Sequence, residues 1–454
     1  MGEFANILSP SYSGTSTNEL YVRAFGPSMI DQETRFQDKT IMDIPLIITE
    51  DDKIVCIPAT KEMKHIGFVG MTGTSKSVGM NALLGWDYHL AKNHCIILND
   101  YQHETFEWSL PTASKNYLME TVHANPIPLP IVYVFPSTQS AEISKSDKRF
   151  PNLKMTIPLK EVINNIENYF KLEKTKIYLT PLTDKLIECN SMMEIKSVIE
   201  EEIHEKHIMM KNKILNVFQN LFNNKMLNVS VPNAPAYLEY RDKDNHKYWN
   251  YTILALLRAN FIPSIQTSDL CSYDYFSAYM TFIVDSIYHA QYNDVGDGNT
   301  TPFFSKYNVN ISLYIDEITK LWKGHNGDLI KSSVGRIGTN GRMARIGLRW
   351  ATQDYGDVPD AIRGNTKYLI VSKCKDDKEV NKIEKDFSIP KEMKDEMQKL
   401  EKDPQKGLFQ VIVLTTEKFV LYDQLDGKRT ETSLPQKGLL IPPQARHKVP
   451  GVII

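Results

Sequence analysis

The stretch at residues 70–77 reads Gly-Met-Thr-Gly-Thr-Ser-Lys-Ser, and it constrains the fold more than any other part of the chain. A phosphate-binding loop has a Gly, four free residues and then Gly-Lys-Ser or Gly-Lys-Thr. Gly70, Lys76 and Ser77 stand at the required positions, whereas Ser75 replaces the second Gly. The stretch therefore predicts a phosphate site with one departure from the pattern.

The flanking residues favour the same interpretation. Residues 65–69 form a short apolar run, which is typical of a buried parallel strand. Met80, Leu83 and Leu84 then follow at helical spacing. A strand, a Gly-rich turn and a helix are the geometry that the motif requires, whereas a Gly-rich turn in an ordinary α/β unit is the alternative.

A phosphate loop of this kind places the backbone N–H groups of the loop and of the helix start around the phosphates of ATP. Lys76 then reaches the β and γ phosphates, and the Ser77 hydroxyl holds Mg²⁺. If Ser75 needs a positive φ, its side chain costs about 1 kcal/mol, so we expect ATP binding to survive while hydrolysis slows. The residues assigned to the nucleotide are Gly70, Met71, Thr72, Gly73, Thr74, Ser75, Lys76, Ser77 and Val78.

Charge and cysteine usage exclude several other classes of protein. The net charge is −2, so any binding of nucleic acid must come from local patches. The five cysteines are scattered without a CxxC pair, which argues against a disulfide framework or a zinc site and fits a reducing cytoplasm. The first residues lack the pattern of a signal peptide, and no apolar run approaches a membrane span. We therefore expect a soluble, cytoplasmic protein.

A second motif lies far along the chain. Residues 309–315 form an apolar-rich strand that ends in Asp316 and Glu317. Beside a phosphate loop, Asp316 would bind Mg²⁺ and Glu317 would polarise the water that attacks the γ-phosphate. Such an acidic pair could instead cap the helix that follows.

The next strand carries a polar residue at its end. Residues 345–352 lead into Gln353, and the carboxyl end of a parallel strand faces the ligand crevice of a sheet. Gln353 could therefore contact the γ-phosphate or the attacking water, or it could simply cap a loop.

Residues 331–350 contain no acid and five basic residues: Lys331, Arg336, Arg342, Arg345 and Arg349. This local excess of positive charge suits either an arginine finger or contacts to a phosphate backbone. The alternative is a solvated basic loop.

The rest of the chain suggests a core interrupted by an insertion. We predict an α/β fold of the P-loop NTPase (RecA-like/ASCE) class, with a parallel sheet core, a helical insertion and a short N-terminal β segment. The predicted units are a flexible segment and β-hairpin at 1–61, the core at 62–139 and 263–445, a helical insertion at 140–262 and an arm at 446–454. Within them we expect β-hairpins at 44–57 and 407–422, a strand entered through prolines at 126–135 and helices around 275–288 and 379–403.

These motifs resemble the HerA–FtsK superfamily of hexameric motor ATPases over residues 41–135 and 263–375. The resemblance rests on GMTGTSKS, on LYIDEI, on GRMARIGLRWATQDYGDVPDAIRGN and on DYQHE at residues 100–104, where His103 replaces a Gly. It implies that Glu104 assists near the nucleotide. It also implies that an arginine reaches the γ-phosphate of a neighbouring subunit, with Arg342 as first choice and Arg345 and Arg363 as alternates.

The function implied by the resemblance is a HerA-like ring ATPase that moves double-stranded DNA, with ATP and Mg²⁺ as cofactors. The partners expected are copies of the chain, as a hexamer, and a protein such as a nuclease or a capsid or transfer component. Two alternatives use the same core: an ATP-binding switch that recruits a partner, and a secretion-type ATPase that moves protein.

Overall fold

The computed structural model describes residues 42–60, 62–98, 108, 129–135, 153–170, 172, 174–224, 226–228, 237–241, 248–251, 257, 261–266, 278–285, 287–288, 310–321, 333–402 and 408–442. Glu104 and Lys331, the element at 100–104, the arm at 446–454 and residues 1–41 of the predicted N-terminal unit at 1–61 lie outside these residues. The domain boundaries stay predictions.

The strands are β1 (Ile44–Thr49), β2 (Lys53–Ile57), β3 (His65–Val69), β4 (His94–Ile97), β5 (Ile131–Phe135), β6 (Leu153–Pro158), β7 (Leu227–Asn228), β8 (Tyr237–Arg241), β9 (Tyr248–Tyr251), β10 (Ile262–Ile265), β11 (Ile311–Ile315), β12 (Ile346–Thr352), β13 (Thr366–Val371), β14 (Gln410–Thr415), β15 (Phe419–Asp423), β16 (Arg429–Thr432) and β17 (Gln436–Leu440).

The helices are α1 (Lys76–His89), α2 (Leu159–Phe170), α3 (Lys176–Leu179), α4 (Thr183–Ile187), α5 (Met192–Glu202), α6 (Ile208–Asn223), α7 (Ser333–Asn340), α8 (Asp360–Arg363), α9 (Asp377–Phe387) and α10 (Lys391–Met397). Among the helices that the structure describes, none combines the length and apolar character that a membrane crossing needs.

A parallel sheet forms the centre of the molecule. Its strands lie in the order β6-β5-β10-β4-β11-β12-β3-β13, and each neighbouring pair is parallel. The turn between β3 and α1 is the phosphate-loop stretch, and β12 separates β3 from β11. The predicted α/β fold class with its strand–turn–helix unit is confirmed.

Apolar side chains cover both faces of this sheet because alternate residues of its strands point to opposite sides. In β4 and the residue after it, Cys95 and Ile97 pack into the layer around α1, whereas Ile96 and Leu98 pack into the layer around the insertion and the C-terminal helices. Helix α1 is buried almost all round, from Val78 to Tyr88, as expected of a helix covered on more than one side.

The two ends of the described chain complete the sheet together. The predicted hairpin of β1 and β2 is present, with a register shift at Pro45 and Ile47. From the parallel core the order continues β13-β14-β17-β1-β2-β15-β16, all antiparallel. The predicted hairpin at 407–422 is wrong. Its two strands are adjacent in sequence, but β14 pairs with β13 and β17, whereas β15 pairs with β2 and β16.

The insertion is not purely helical, which corrects the prediction for residues 140–262. It contains α2 to α6, but β6 pairs in parallel with β5 and β8 pairs antiparallel with β6. Strand β6 extends the sheet beyond β5 by pairing with the end of that strand, at Val134 and Phe135. Helical periodicity at 159–221 hid this strand, since the apolar positions of the helices dominate the pattern.

The remaining predicted elements agree with the structure. Strand β5 lies inside the sheet, and Pro130 directly precedes it, so the prolines mark its start rather than an edge. Residues 278–285 and 287–288 are helical, and those whose side chains are described are almost all buried. The charged tail forms α9 and α10 as predicted.

Candidate nucleotide site

Four strand ends meet at one edge of the sheet. Because β11, β12, β3 and β13 are parallel neighbours, the residues that follow them lie side by side. These residues are Asp316 and Glu317 after β11, Gln353 after β12, Gly70 after β3 and Ser372 after β13. The edge therefore gathers the two motifs that the sequence places about 240 residues apart.

Backbone hydrogen bonds anchor the phosphate loop to the neighbouring strands. The N–H of Gly70 donates to the Thr352 carbonyl at 3.4 Å, and the N–H of Met71 donates to the Lys373 carbonyl at 2.9 Å. Gly70 has φ +150°, and a Cβ there would lie 1.9 Å from Ser372 Oγ. Only glycine therefore fits at the first position of the motif.

Ser75 adopts the conformation that would suit glycine. Its φ is +95° and its ψ is −4°, directly before the first residue of α1. The side chain is buried and makes no capping hydrogen bond, although its carbonyl accepts from the N–H of Gly79 at 2.8 Å. Ser75 thus has the positive φ at which we expected its side chain to destabilise the loop.

Lys76 folds back onto the loop. Its Nζ donates to the carbonyls of Gly70 at 2.5 Å and Met71 at 2.9 Å. Burial lowers the pKa of Lys76, and the charges of Asp316, Glu317 and Glu379 oppose this shift. The ammonium group thus lies within the electrostatic reach of both acidic residues of the second motif.

Hydroxyl and amide groups join the loop to the adjoining strands. Thr72 Oγ1 donates to Gln353 Oε1 at 2.9 Å, so the predicted sensor contacts the loop directly. Thr74 Oγ1 lies 2.8 Å from Ser372 Oγ, at the end of β13. The side chains of Thr72 and Gln353 are exposed, which leaves both accessible to a ligand.

Glu317 is held by two threonines. Its Oε1 accepts from Thr319 Oγ1 at 2.8 Å and from Thr352 Oγ1 at 2.9 Å. Glu317 also has a positive φ of +49°, which is uncommon for a residue with a side chain. Residues held in such conformations cluster at functional sites.

The donors at this edge fit a magnesium ion shared with a nucleotide. Mg²⁺ is usually bound through one or two carboxylates together with substrate phosphates. Ser77 supplies a hydroxyl in the first turn of α1, and Asp316 supplies a carboxylate. Within the described residues there is no group of three or more His, Cys, Asp or Glu that could hold a metal without a ligand's help.

Glu379 was not predicted from the sequence. Its buried carboxylate accepts from the N–H of Tyr355 and the N–H of Lys375, each at 3.2 Å. Burial raises the pKa of Glu379, and these two hydrogen bonds partly oppose the shift. The side chain thereby ties the segment after Gln353 to the segment after β13.

The three candidate finger arginines lie at the opposite edge of the sheet. Arg342 and Arg345 precede β12, and Arg363 precedes β13, so all lie at the amino ends of strands whose carboxyl ends face the loop. Strand β12 has seven residues, which corresponds to a length of about 20 Å. Within one chain these arginines therefore cannot reach a nucleotide in the phosphate loop.

Arg342 and Arg363 differ in how many contacts their own chain makes with them. Arg342 is 70% exposed and pairs with Glu62. Arg363 pairs with Asp360, lies 3.6 Å from Asp386 and stacks over the Tyr355 ring at 5.4 Å. Arg342 is thus far more available to another molecule than Arg363.

Arg349 does not belong to the basic surface that the sequence suggested. It is 3% exposed, and its Nε donates to Asp87 Oδ2 at 2.7 Å, while Tyr314 donates to the same oxygen at 2.7 Å. The alternation of β12 turns Arg349 toward α1, so its charge is neutralised in the core. Arg336, Arg342 and Arg345 are what the described residues contribute to that surface.

Four further polar residues of the site escaped the sequence analysis. Thr352 and Ser372 lie at the ends of apolar strands, where a Thr or Ser looks like an ordinary strand residue. Thr319 lies in the short 3-10 helix Ile318–Leu321 that follows Glu317. Glu379 lies three residues after Asp376, and this spacing is the signal of a helix cap. A polar residue at the carboxyl end of each parallel strand was the signal that could have found Thr352 and Ser372.

No family model matches the sequence, and no curated protein matches it. Solved structures resemble its fold. VirB4 of Thermoanaerobacter pseudethanolicus is 12% identical with a TM-score of 0.48, over 87% of this chain and 97% of that one. The genome packaging NTPase B204 from Sulfolobus turreted icosahedral virus 2, in complex with AMP, is 16% identical with a TM-score of 0.22, over 38% of this chain and 67% of that one.

A third solved structure, EssC (ATPases 2 and 3) from Geobacillus thermodenitrificans, is 10% identical with a TM-score of 0.29. The match covers 90% of this chain and 46% of that one.

Proposed function

We propose that this chain is an ATPase. The observation that carries the proposal is the meeting of the phosphate loop with Asp316, Glu317 and Gln353 at one sheet edge. Gln353 contacts Thr72 directly, and Lys76 lies within the electrostatic reach of Asp316 and Glu317. A phosphate cradle, metal ligands, a water-activating carboxylate and a phosphate-sensing amide are the parts that phosphoryl transfer to water needs.

Each residue has a role that follows from its place. The N–H groups of residues 70–78 bind the phosphates, and Lys76 exchanges its two carbonyl partners for phosphate oxygens. Ser77 and Asp316 hold Mg²⁺, which supplies neutralisation of phosphate charge when bound. Glu317 orients and polarises the attacking water, while Gln353 distinguishes the presence of the γ-phosphate through its contact with Thr72.

We further infer a ring-forming motor of the HerA–FtsK type that moves double-stranded DNA. Arg342 and the phosphate loop occupy opposite edges of the sheet, and a head-to-tail interface brings two different surfaces of identical chains together. Arg342 can therefore act on a neighbour's nucleotide but not on its own. Exposed Arg336 and Arg342 add positive charge that a phosphate backbone can contact.

One observation favours the alternative, a switch or secretion-type ATPase that engages a protein. The insertion exposes apolar side chains near one another: Ile177 is 69% exposed, Ile208 54% and Met209 76%. Tyr178 and His207, their sequence neighbours, are in contact at 3.1 Å. Apolar groups of this kind suit a protein partner better than a polyanion.

Steady-state hydrolysis of Mg-ATP tests the enzyme assignment. Lys76→Ala should abolish turnover by removing the phosphate contact. Glu317→Gln should abolish turnover while retaining ATP binding, since the amide keeps the shape but cannot act as a base. Normal hydrolysis by Glu317→Gln would show that the catalytic assignment is wrong.

Adding duplex DNA separates the motor from its alternatives. A motor should hydrolyse ATP faster with DNA and sediment as about six protomers, the number that the resemblance implies. A switch should turn over slowly with or without DNA. In mixtures, Arg342→Ala and Glu317→Gln chains should regain partial activity at mixed interfaces, and the absence of any rescue would count against a finger in trans.

A further inference from the structure

The Glu317 carboxylate has an asymmetric environment. Two hydroxyls donate to Oε1, from Thr319 at 2.8 Å and from Thr352 at 2.9 Å. From the residues that the structure describes, no hydrogen bond reaches Oε2. Thr352 is fully buried and Thr319 is 2% exposed, so water cannot readily replace either donor.

The hydroxyl hydrogen of Thr352 points to Glu317. The N–H of Asp354 donates to Thr352 Oγ1 at 3.2 Å, which occupies an acceptor site of that oxygen. The single hydroxyl hydrogen is then directed to Glu317, the nearest acceptor. The end of β12 thus fixes the carboxylate with Thr352 and contacts the phosphate loop with the next residue, Gln353.

The two hydrogen bonds hold the Glu317 side chain in one orientation. The backbone of Glu317 is held in an uncommon conformation at φ +49°. Without both donors the carboxylate could rotate away from a bound nucleotide.

We propose that Thr352 and Thr319 are positioning residues that hold Glu317 Oε1, so that Oε2 is directed to the water attacking the γ-phosphate. This inference rests on the proposed ATPase function. It assigns no chemical step to the threonines themselves, because they act through Glu317.

Isosteric variants of the full chain test the proposal. Thr352→Val removes the hydroxyl and keeps the shape, and it should lower kcat by about 10- to 100-fold, the range expected for one hydrogen bond to a charged group. Since binding does not use this carboxylate, KM and the affinity for a non-hydrolysable ATP analogue should change by less than about twofold. Thr352→Ser restores the donor and should recover most of the turnover.

Thr366 provides a matched control. It is 1% exposed, donates to the Ile362 carbonyl at 2.8 Å and accepts from Trp350 Nε1 at 3.2 Å, but it lies at the amino end of β13. Thr366→Val should reduce stability and leave kcat unchanged. If Thr352→Val fails to fold, Thr319→Val carries the same expectation, since its hydroxyl reaches the same oxygen.

The outcomes are distinct. Wild-type kcat in Thr352→Val and Thr319→Val would overturn the positioning role while leaving the ATPase assignment intact. Equal losses of kcat in Thr352→Val and Thr366→Val would do the same. A wild-type chain without ATP hydrolysis, or a fully active Glu317→Gln variant, would overturn the proposed function and this inference with it.

Discussion

Ser75→Gly should stabilise the phosphate loop. Ser75 has φ +95°, a region in which a Cβ costs about 1–2 kcal/mol. Glycine loses more conformational entropy on folding, about 0.5–1 kcal/mol. The hydroxyl makes no capping hydrogen bond, so its removal forfeits little. The net gain should therefore be about 0.5–1 kcal/mol in the free energy of local unfolding.

Amide hydrogen exchange measures this gain where it arises. A gain of 0.5–1 kcal/mol slows exchange through local opening by about two- to fivefold. We expect this slowing in the loop and the first turn of α1, where the N–H of Gly79 donates to the Ser75 carbonyl. The same limit applies to catalysis, so kcat should rise by no more than about fivefold.

Two control variants separate backbone strain from the loss of a hydroxyl. Ser75→Ala keeps the Cβ and should leave exchange unchanged. Ser388→Gly makes the same substitution at φ +51°, at the exposed C-terminal end of α9, and should slow exchange only there. Equal slowing in Ser75→Ala and Ser75→Gly, or faster exchange in Ser75→Gly, would refute the explanation by strain.

Three further predictions concern buried polar groups. Burial lowers the pKa of His65 to about 4, below the unfolded value of about 6.5. The contribution of neutral His65 to the free energy of unfolding is therefore complete above pH 6.5, and about 2–3 kcal/mol of it is lost as the pH falls to 4. Urea unfolding at several pH values measures this loss, and His65→Gln should make it smaller. Asp87→Asn should cost about 3–5 kcal/mol by leaving Arg349 buried without a countercharge, and a urea midpoint equal to wild type would contradict this. Glu379→Ala should lower the free energy of unfolding by about 1–3 kcal/mol, since two buried N–H groups lose their acceptor. Thermal unfolding measures this loss, and an unchanged transition would show that the two hydrogen bonds to Glu379 do not stabilise the fold.

The candidate site was largely predictable because its signals are local. Each motif is a short apolar run followed by polar residues, and the carboxyl ends of parallel strands meet at one edge. Those two facts place Gly70, Glu317 and Gln353 at one edge of the sheet, and the strand order β11-β12-β3 makes them neighbours. The positive φ of Ser75 was also foreseeable, because the motif places a glycine at that position.

Strand partners were not predictable in the same way. Strand β17 pairs with β1, almost 400 residues earlier, and nothing in either short apolar run specifies the other. The hairpin expected at 407–422 failed for the same reason, since β14 and β15 are neighbours in sequence but belong to different pairings. Pairing depends on which apolar edges remain uncovered after the core has formed.

Charged residues inside strands raise a related difficulty. Arg349 lies in a basic stretch and looks like a surface residue until Asp87, 262 positions away, is placed against it. A lone arginine in an otherwise apolar strand is a sign that a buried partner exists, but the sequence does not say which acid it is. The same limit applies to Glu379, whose contact with the N–H of Tyr355 depends on the tertiary fold.

Ser75 and Glu317 each adopt a positive φ, which residues with a side chain rarely do, and the reasons differ. Both are non-glycine residues with positive φ at the edge that forms the site. Two side-chain hydrogen bonds hold Glu317 in its conformation, so its strain accompanies a defined orientation of the carboxylate. The Ser75 side chain makes no capping bond, and the conformation there serves the backbone alone. Glycine at position 75 should therefore stabilise the loop. Glycine at position 317 would remove the carboxylate that the strained backbone holds in place.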